Sequence, residues 1–455
     1  MNNPSWHQQT YIRRSLVPQA ASDNGLRRLS WWLLVAGVVL CMMLSAPALH
    51  TLGVPYDLPW GPFPAKIHPG SYVLMLAFAA GLASHGNPLA SAGQLAAKHR
   101  LLSAYLLCMV GIVAWAVLRH GTAGQAFFID TMVTPGVAAL TIVMHHRGRQ
   151  RQLLHIVMWL LLANAGVAVA EAAASTRLIP LLAGRDGIVE EQFFRASAFM
   201  GHPLANSLIT VSLMPVVIIM PWSLRVRLAA LMLLTLGLLA FGSRSNLAGV
   251  ALYALLACLP LTVVLLRGQF NYRQITGGLV GLAALAAVLA AVVALTPLGD
   301  RIFQNLSWDN SANVRLLAFD VMKYVNGTDL WFGIPVDRIA GIAGRVGIDL
   351  RYEAIENFWI NLLVLLGIVG FTLFVAGLGC MVLHLWRQSR APLKLAIVMY
   401  FIIASGANTL AAKTASLTML VVTLQCAAAL HKPRATSGQT QGRSLKSWQV
   451  AGAGR

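Results

Sequence analysis

The chain of 455 residues is 57% hydrophobic and only 11% charged, against roughly 25% charged in an average soluble domain, so most of it cannot face water. Its formal net charge of +19 would suit a nucleic-acid binder if the cations formed one polar domain, but they are dispersed between apolar runs. A membrane β-barrel is excluded too, because the sequence has no series of segments of about ten alternating residues.

Runs such as Trp31–Leu49, Leu101–Leu118, Leu228–Phe241, Leu247–Leu266 and Phe358–Leu383 mostly approach or exceed the ~20 residues that carry an α-helix across a ~30 Å hydrocarbon core. In chain order the predicted spans cover about 30–49, 70–84, 101–118, 127–144, 153–173, 203–221, 228–241, 247–266, 275–297, 357–384, 394–407 and 414–430. The expected fold is an all-α polytopic membrane protein of about twelve transmembrane helices. A cytoplasmic segment, 1–29, precedes a membrane domain, 30–430, and the polar, basic, Ser/Gly-rich residues 431–455 read as a disordered cytoplasmic tail. The first span follows four arginines without a small-residue cleavage site, which reads as a retained signal-anchor.

These spans assign every loop a side. Both termini and 21 of the 34 basic residues fall on one side with a single acidic residue, Asp23, leaving 13 basic and 14 acidic residues on the other. The positive-inside rule makes the basic side cytoplasmic, as expected of a bacterial inner-membrane protein. Its arginines, among them Arg147, Arg149, Arg151, Arg225 and Arg227, then act as topology signals and contacts to anionic membrane lipids, with no nucleic-acid partner. The five cysteines all sit inside spans without ligand spacing, so neither a disulfide framework nor a metal site is expected.

The outer side owns the two longest connections, about 174–202 and 298–356, and loops of that length carry function more often than short ones. In the second, Asp309-Asn310-Ser311 is a plausible helix N-cap. Val314, Leu317, Ala318, Val321 and Val325 follow at helical spacing, as in an amphipathic helix on the membrane surface or over a cavity. Gly327, Gly333, Pro335, Gly341, Gly344 and Gly347 then predict irregular chain. No sequence repeat and no pair of matching Gly/Pro-broken spans is found, features that would favour an alternating-access transporter.

An ionisable residue costs about 2.5–3.5 kcal/mol at the centre of an inserted helix and less near its end. Asp130, Glu171, Arg195, His202, Arg244, Glu356 and Lys413 all fall at span ends on the outer level. Asp130 and Glu171 fit structural capping or ion pairing as well as chemistry. Lys413 fits snorkelling to the interface as well as ligand binding, and His202 fits a loop residue satisfied by backbone groups. Arg244, in a very short outer turn, is harder to explain structurally. Arg195, Arg244, Arg315 and Arg351 together could bind phosphate through planar, permanently charged forks. Glu356 could accept a proton from a hydroxyl nucleophile, or could simply be a charge that stabilises a helix N-terminus.

Glu356-Asn357, nine residues, Gly367, two residues, Gly370 resembles the His-Asn/Ser/Gln, nine-residue, Gly-x-x-Gly signature of the bacterial O-antigen ligase and polymerase superfamily, with glutamate in place of histidine. Three further features are similar to that family: Arg195-Ala-Ser-Ala-Phe-Met-Gly-His-Pro-Leu before a span, Gly242-Ser-Arg-Ser at a span end, and a long outer loop with Arg315 ahead of the signature. The resemblance covers about residues 120–425. It implies a GT-C-like, metal-independent membrane glycosyltransferase without a cofactor, with a glycan on undecaprenyl pyrophosphate as donor and a second glycan as acceptor. By the same resemblance Glu356, Arg244 and Arg315 would be catalytic. Arg195, His202, Arg351, Lys413 and Asn357 would bind pyrophosphate or glycan, and a flippase and chain-length or export proteins would be partners. Because lipid A-core ligation goes with the histidine form, the resemblance favours a polymerase of O-antigen or exopolysaccharide repeat units over a ligase. A lipid-linked oligosaccharide flippase is the alternative of another class.

Overall fold

A computed structural model describes residues 25–58, 61–122, 124–180, 194–243, 316–348 and 355–430, with 182–183, 187–188, 246, 249 and 276 between them. The expected N-terminal segment up to residue 24, the tail from 431, most of the predicted spans 247–266 and 275–297, the N-cap at Asp309-Asn310-Ser311, and Arg244, Arg315 and Arg351 lie outside the described residues.

The described helices are α1 (Gly25–Met43), α2 (Ala46–Thr51), α3 (Pro69–Ala83), α4 (Pro88–Lys98), α5 (Arg100–His120), α6 (Ala126–Met144), α7 (Arg147–Ala174), α8 (Pro203–Ile219), α9 (Leu224–Phe241), α10 (Gly327–Phe332), α11 (Val336–Val346), α12 (Phe358–Gln388), α13 (Ala391–Ser405) and α14 (Ser416–Ala427). A two-residue antiparallel hairpin, Leu182–Ala183 with Gly187–Ile188, lies between α7 and α8. Among the described residues six helices, α1, α5, α6, α7, α9 and α12, are long and apolar enough to cross a membrane. The pair α3 and α4, bent by 101°, passes the same test jointly, and α8, α13 and α14 lie in shorter apolar helical stretches. The chain is an all-α membrane protein.

Helices α6, α8 and α14 form the centre: nearly every residue of α8 and α14 is buried, and α6 touches α3, α5 and α14. Around them α1 packs on α3, α5 on α12, α8 on α13 and α7 on α9. Small residues bring backbones close, as membrane helices require when packing, not water, must drive association. Gly70 on α3 faces the Cys41 backbone on α1, and Gly237 on α9 faces Ala165 on α7.

Three local expectations change. The span predicted over 30–49 divides at Leu44-Ser45, where the Ser45 side chain accepts from the Ala48 N–H at 3.4 Å and Pro47 enters the next helix without needing its own donor. Residues 88–98, expected in a loop, are helical because Asn87 accepts from the Leu89 and Ala90 N–H groups at 3.1 Å and Pro88 starts the turn. The glycines between 327 and 347 do not mark irregular chain throughout: α10 and α11 occupy most of that stretch, and α11 buries Ile339, Ile342 and Ala343 on one face. The predicted amphipathic face is present where it is described. Residues 316–324 are helical, with Ala318 and Val321 buried and Leu317 and Val325 half-buried.

Helix α12 departs from regularity at Gly367, which has φ +66° and ψ 175°. The break frees carbonyls, and other elements receive them. Val364 C=O accepts from Ile334 N at 2.9 Å, Leu365 C=O lies 3.1 Å from His120 Nε2, and Leu366 C=O accepts from Trp115 Nε1 at 3.1 Å. A Cβ on Gly367 would collide with the Gly333 nitrogen and the Trp331 carbonyl, and one on Gly370 would meet Trp115 at 2.9 Å. Both glycines of the Gly-x-x-Gly pair thus serve close approach. Gly367→Ala is expected to lower the thermal midpoint in detergent by several degrees, since a positive φ and a backbone clash together cost about 1–3 kcal/mol. Gly379→Ala, on the same helix but facing open space, is expected to leave it unchanged; equal effects would remove the structural role assigned to the break.

Candidate functional site

The helix ends sort by chemistry. At one end arginines reach backbone carbonyls: Arg27 donates to Met144 C=O and Arg149 to Arg27 C=O, each at 3.3 Å, and Arg151 to Ala429 C=O at 3.4 Å. At the other end three polar knots hold the breaks between helices, and the expected site residues that are described all belong there.

The first knot closes on Glu171, in the last turn of α7 and 4% exposed. One carboxylate oxygen accepts from Leu178 N–H at 2.8 Å, the other from Ser197 at 2.8 Å and Ala198 at 3.0 Å. Asn164 accepts from Phe199 N–H at 3.0 Å and donates to Asn206, which donates on to the Ser197 and His202 carbonyls. Arg177 Nε donates to the Arg195 carbonyl at 2.9 Å. Segment 195–202 is therefore pinned along its backbone, and Gly201, at φ +70°, lets it seat against Ser45 without a Cβ in the way. Glu171 is a structural carboxylate whose work is to hold Arg195 and His202 in position.

The second knot closes on Asp130, 5% exposed in a π-helical turn, Ile129–Val133, of α6. It accepts from Ser71 Oγ at 2.7 Å, Tyr56 Oη at 3.0 Å and His68 N–H at 3.0 Å. His68 caps α3: its Nδ1 accepts from Gly70 N–H at 3.0 Å, which leaves Nε2–H to donate to Leu44 C=O at 2.6 Å. Lys413 joins this knot, donating to Tyr56 C=O, 3.8 Å from Asp57 and 4.4 Å from the Tyr56 ring centroid. Burial lowers its pKa against the opposing pull of Asp57 and Asp130.

The third knot begins α12. Asn357 Oδ1 accepts from Trp359 N–H at 3.0 Å and Ile360 N–H at 3.2 Å, so Asn357 is the cap and half-buried Glu356 immediately precedes the helix. Segment 405–414 ties this knot to the second. Phe358 N–H donates to Ala407 C=O, Asn361 to Asn408 at 2.9 Å and Trp359 Nε1 to Ser405 Oγ at 2.9 Å. Further along, Thr131 Oγ1 donates to Ala412 C=O at 2.7 Å.

The chain matches no family model and no curated protein. Its function must therefore be argued from the knots themselves. They bring Arg195 beside His202, put Lys413 with Tyr56 and Asp57, and set Glu356 next to the Asn357 cap, while Arg244, Arg315 and Arg351 lie outside the described residues. Sequence reasoning missed Tyr56, Asp57, His68, Asn164 and Asn206. One signal was available for the caps: His68-Pro69 and His202-Pro203 each set an imidazole acceptor just before a helix-starting proline. Among the described residues no three His, Cys, Asp or Glu side chains form a group that could hold a metal ion.

Two side chains are open to solvent yet surrounded by protein. Asp57 has a side chain 67% exposed, and burial still raises its pKa above the usual carboxylate value. His202 is exposed, and burial first, then the Arg195 charge, lowers its pKa to about 4. His202 Nδ1 accepts from Leu204 N–H at 3.3 Å, which leaves a neutral ring whose Nε2–H is a donor without positive charge. Because its folded pKa lies below the ordinary 6.5, His202 contributes stability that is full above pH 6.5 and lost as pH falls toward 4. Nitrogen NMR of the labelled ring is expected to show neutral His202 at pH 5.5, and Arg195→Gln to raise its pKa toward 6.5. A ring already protonated at pH 5.5 would contradict the arrangement.

Proposed function

We propose that the chain is a GT-C-like membrane glycosyltransferase of about twelve spans. It joins undecaprenyl-pyrophosphate-linked repeat units into O-antigen or exopolysaccharide at the periplasmic face of the bacterial inner membrane, with both termini cytoplasmic. The observation that carries the reading is the Glu356-Asn357-(x)9-Gly367-x-x-Gly370 pattern realised as a capped and broken helix, with Glu356 half-buried at its mouth. Supporting it is the fate of the charges around that level. Asp130 and Glu171 accept from backbone and hydroxyl donors, whereas Lys413 carries its charge beside Tyr56 and Asp57 and Arg195 stands close enough to His202 to act on it.

In the proposed reaction the acceptor hydroxyl oxygen bonds to the donor's anomeric carbon from the face opposite the phosphate. The carbon–oxygen bond to pyrophosphate breaks, and the leaving group takes the electron pair. The hydroxyl proton passes to the Glu356 carboxylate, and the configuration inverts. Arg244 and Arg315 neutralise the departing charge through bidentate contacts, so no separate metal is required in this scheme. Arg195, Arg351 and Lys413 add fixed positive charge, neutral His202 gives a hydrogen bond to a phosphate or glycan oxygen, and Asn357 holds the helix start from which Glu356 projects. A flippase delivering the donor and chain-length or export proteins receiving the product are the partners this role needs.

Purified protein supplied with lipid-linked repeat units is expected to produce a glycan ladder on a gel, to keep doing so in EDTA, and to slow by about 10²–10⁴ in Glu356→Gln, the usual worth of a general base. Transfer that appears only when lipid A-core is added would identify a ligase. Labelled lipid that crosses the bilayer without any transfer would replace the transferase by a flippase.

A further inference from the structure

At the basic end, helices α7 and α9 run side by side, and the contact of Gly237 with Ala165 fixes their register. Stepping back along α9 from Gly237 gives Leu234 and Ala230, both buried, and then Arg227 in the first turn, all on the face toward α7. Arg227 is half-buried on this seam, and its Nε is buried without a hydrogen-bond partner among the described residues. No aspartate or glutamate occurs in 131–170 or 192–299, so neither helix offers it a carboxylate at this end. A guanidinium N–H buried without an acceptor destabilises the fold, whereas an exposed arginine such as Arg225 would meet the demands of topology alone.

With Nε shut away, a ligand reaches Arg227 through its terminal nitrogens, and the surroundings specify that ligand. On α7, Arg151, His155 and Trp159 recur at four-residue spacing on one face; Arg151 has only a 3.4 Å contact to Ala429 C=O, and the His155 Nδ1 is taken by Arg151 C=O at 2.8 Å. Trp159, 57% exposed, lies against Trp222 with ring centroids 5.6 Å apart. Arg151 stands two helical turns outward of Trp159 on α7, and Leu224, Leu228 and Met232 expose apolar surface along α9. This pairing of cations with a tryptophan pair and open apolar surface matches a phosphate headgroup and its glycerol and acyl region.

We propose that the seam between α7 and α9 at the basic end is a binding site for an anionic phospholipid. The lipid's phosphate receives Arg227 and Arg151, and its glycerol region rests on Trp159 and Trp222. The site is independent of the glycosyl-transfer reading, because it lies at the opposite end of the helices and uses none of those residues.

The test uses the full-length protein in detergent, titrated separately with cardiolipin, phosphatidylglycerol, phosphatidylethanolamine and inorganic phosphate, with binding read by native mass spectrometry and by thermal midpoint. The anionic lipids are expected to bind and raise the midpoint, and phosphatidylethanolamine and free phosphate are not. Arg227→Gln should weaken the anionic lipid by about tenfold or more, the worth of one charge-assisted hydrogen bond, whereas Arg225→Gln should change it by less than about threefold. Trp222→Ala, which leaves the charges intact, should also weaken binding and serves if Arg227→Gln does not fold. Equal losses in the two arginine variants, equal binding of phosphatidylethanolamine, full protection by free phosphate, or unchanged binding in Trp222→Ala would overturn the site.

Discussion

A backbone N–H or C=O that leaves its helix beside a bilayer has little water to turn to, and each one left unmet costs several kcal/mol. The polar end of this protein is organised by that cost. Where α7 ends and the chain turns toward α8, Glu171 takes up three N–H groups. At the second knot, Asp130 takes up the N–H of His68 together with two hydroxyls. Where α12 breaks at Gly367, Trp115, His120 and Ile334 meet the carbonyls. A carboxylate that satisfies backbone amides also fixes the loop that carries them, so the same bonds that make the breaks tolerable decide where Arg195 and His202 stand. Position of the candidate binding groups is thus a consequence of backbone satisfaction and needs no separate device.

Ionisable groups that line a transport route keep their polar atoms available to a moving ion or solute. Asp130 and Glu171 are instead spent on protein donors, and the carbonyls freed at Gly367 face other protein groups. A matching pair of Gly/Pro-broken spans would favour a transporter, but the break at Gly367 does another job: it brings the backbone of Gly333 against that of Gly367 and anchors the α10–α11 segment to a spanning helix. Among the described residues of the polar end, Asp57 and His202 stay exposed to solvent.

How far the sequence reveals this depends on how local the cause is. The apolar runs, the segregation of cations to one end and the single level of Asp130, Glu171, His202, Glu356 and Lys413 follow from composition and order alone. The break at Leu44-Ser45 does not, because the hydrophobic run continues through it and only Pro47 interrupts the pattern. Nor does helix α4, whose sequence is too polar on one side to look like a span and too apolar on the other to look like a loop. The second knot was illegible for a different reason: Tyr56, Ser71, Asp130 and Lys413 come from four separate stretches, and no spacing within any one of them announces the other three. Gly367 and Gly370 were readable as a pair, but the partner that explains Gly367 is Gly333, 34 positions earlier and across a turn. The three arginines 244, 315 and 351 lie outside the described residues, so their contribution rests on sequence order and not on geometry.

The cations of the two ends show how surroundings, more than residue type, set a role. At the basic end Arg27 and Arg149 are held by carbonyls, and Arg227 stands out because the helix seam buries its Nε away from them. At the polar end Arg195 has its backbone fixed by Arg177, and its charge acts on a histidine that burial already keeps neutral. That combination has a chemical consequence. A protonated imidazole beside a guanidinium would repel it and draw an anion tightly whether or not the bound group was reacting. A neutral one adds a directed donor while leaving the fixed charge to the arginine. Affinity and orientation for an anion are then supplied by different side chains, the charge by one and the direction by the other.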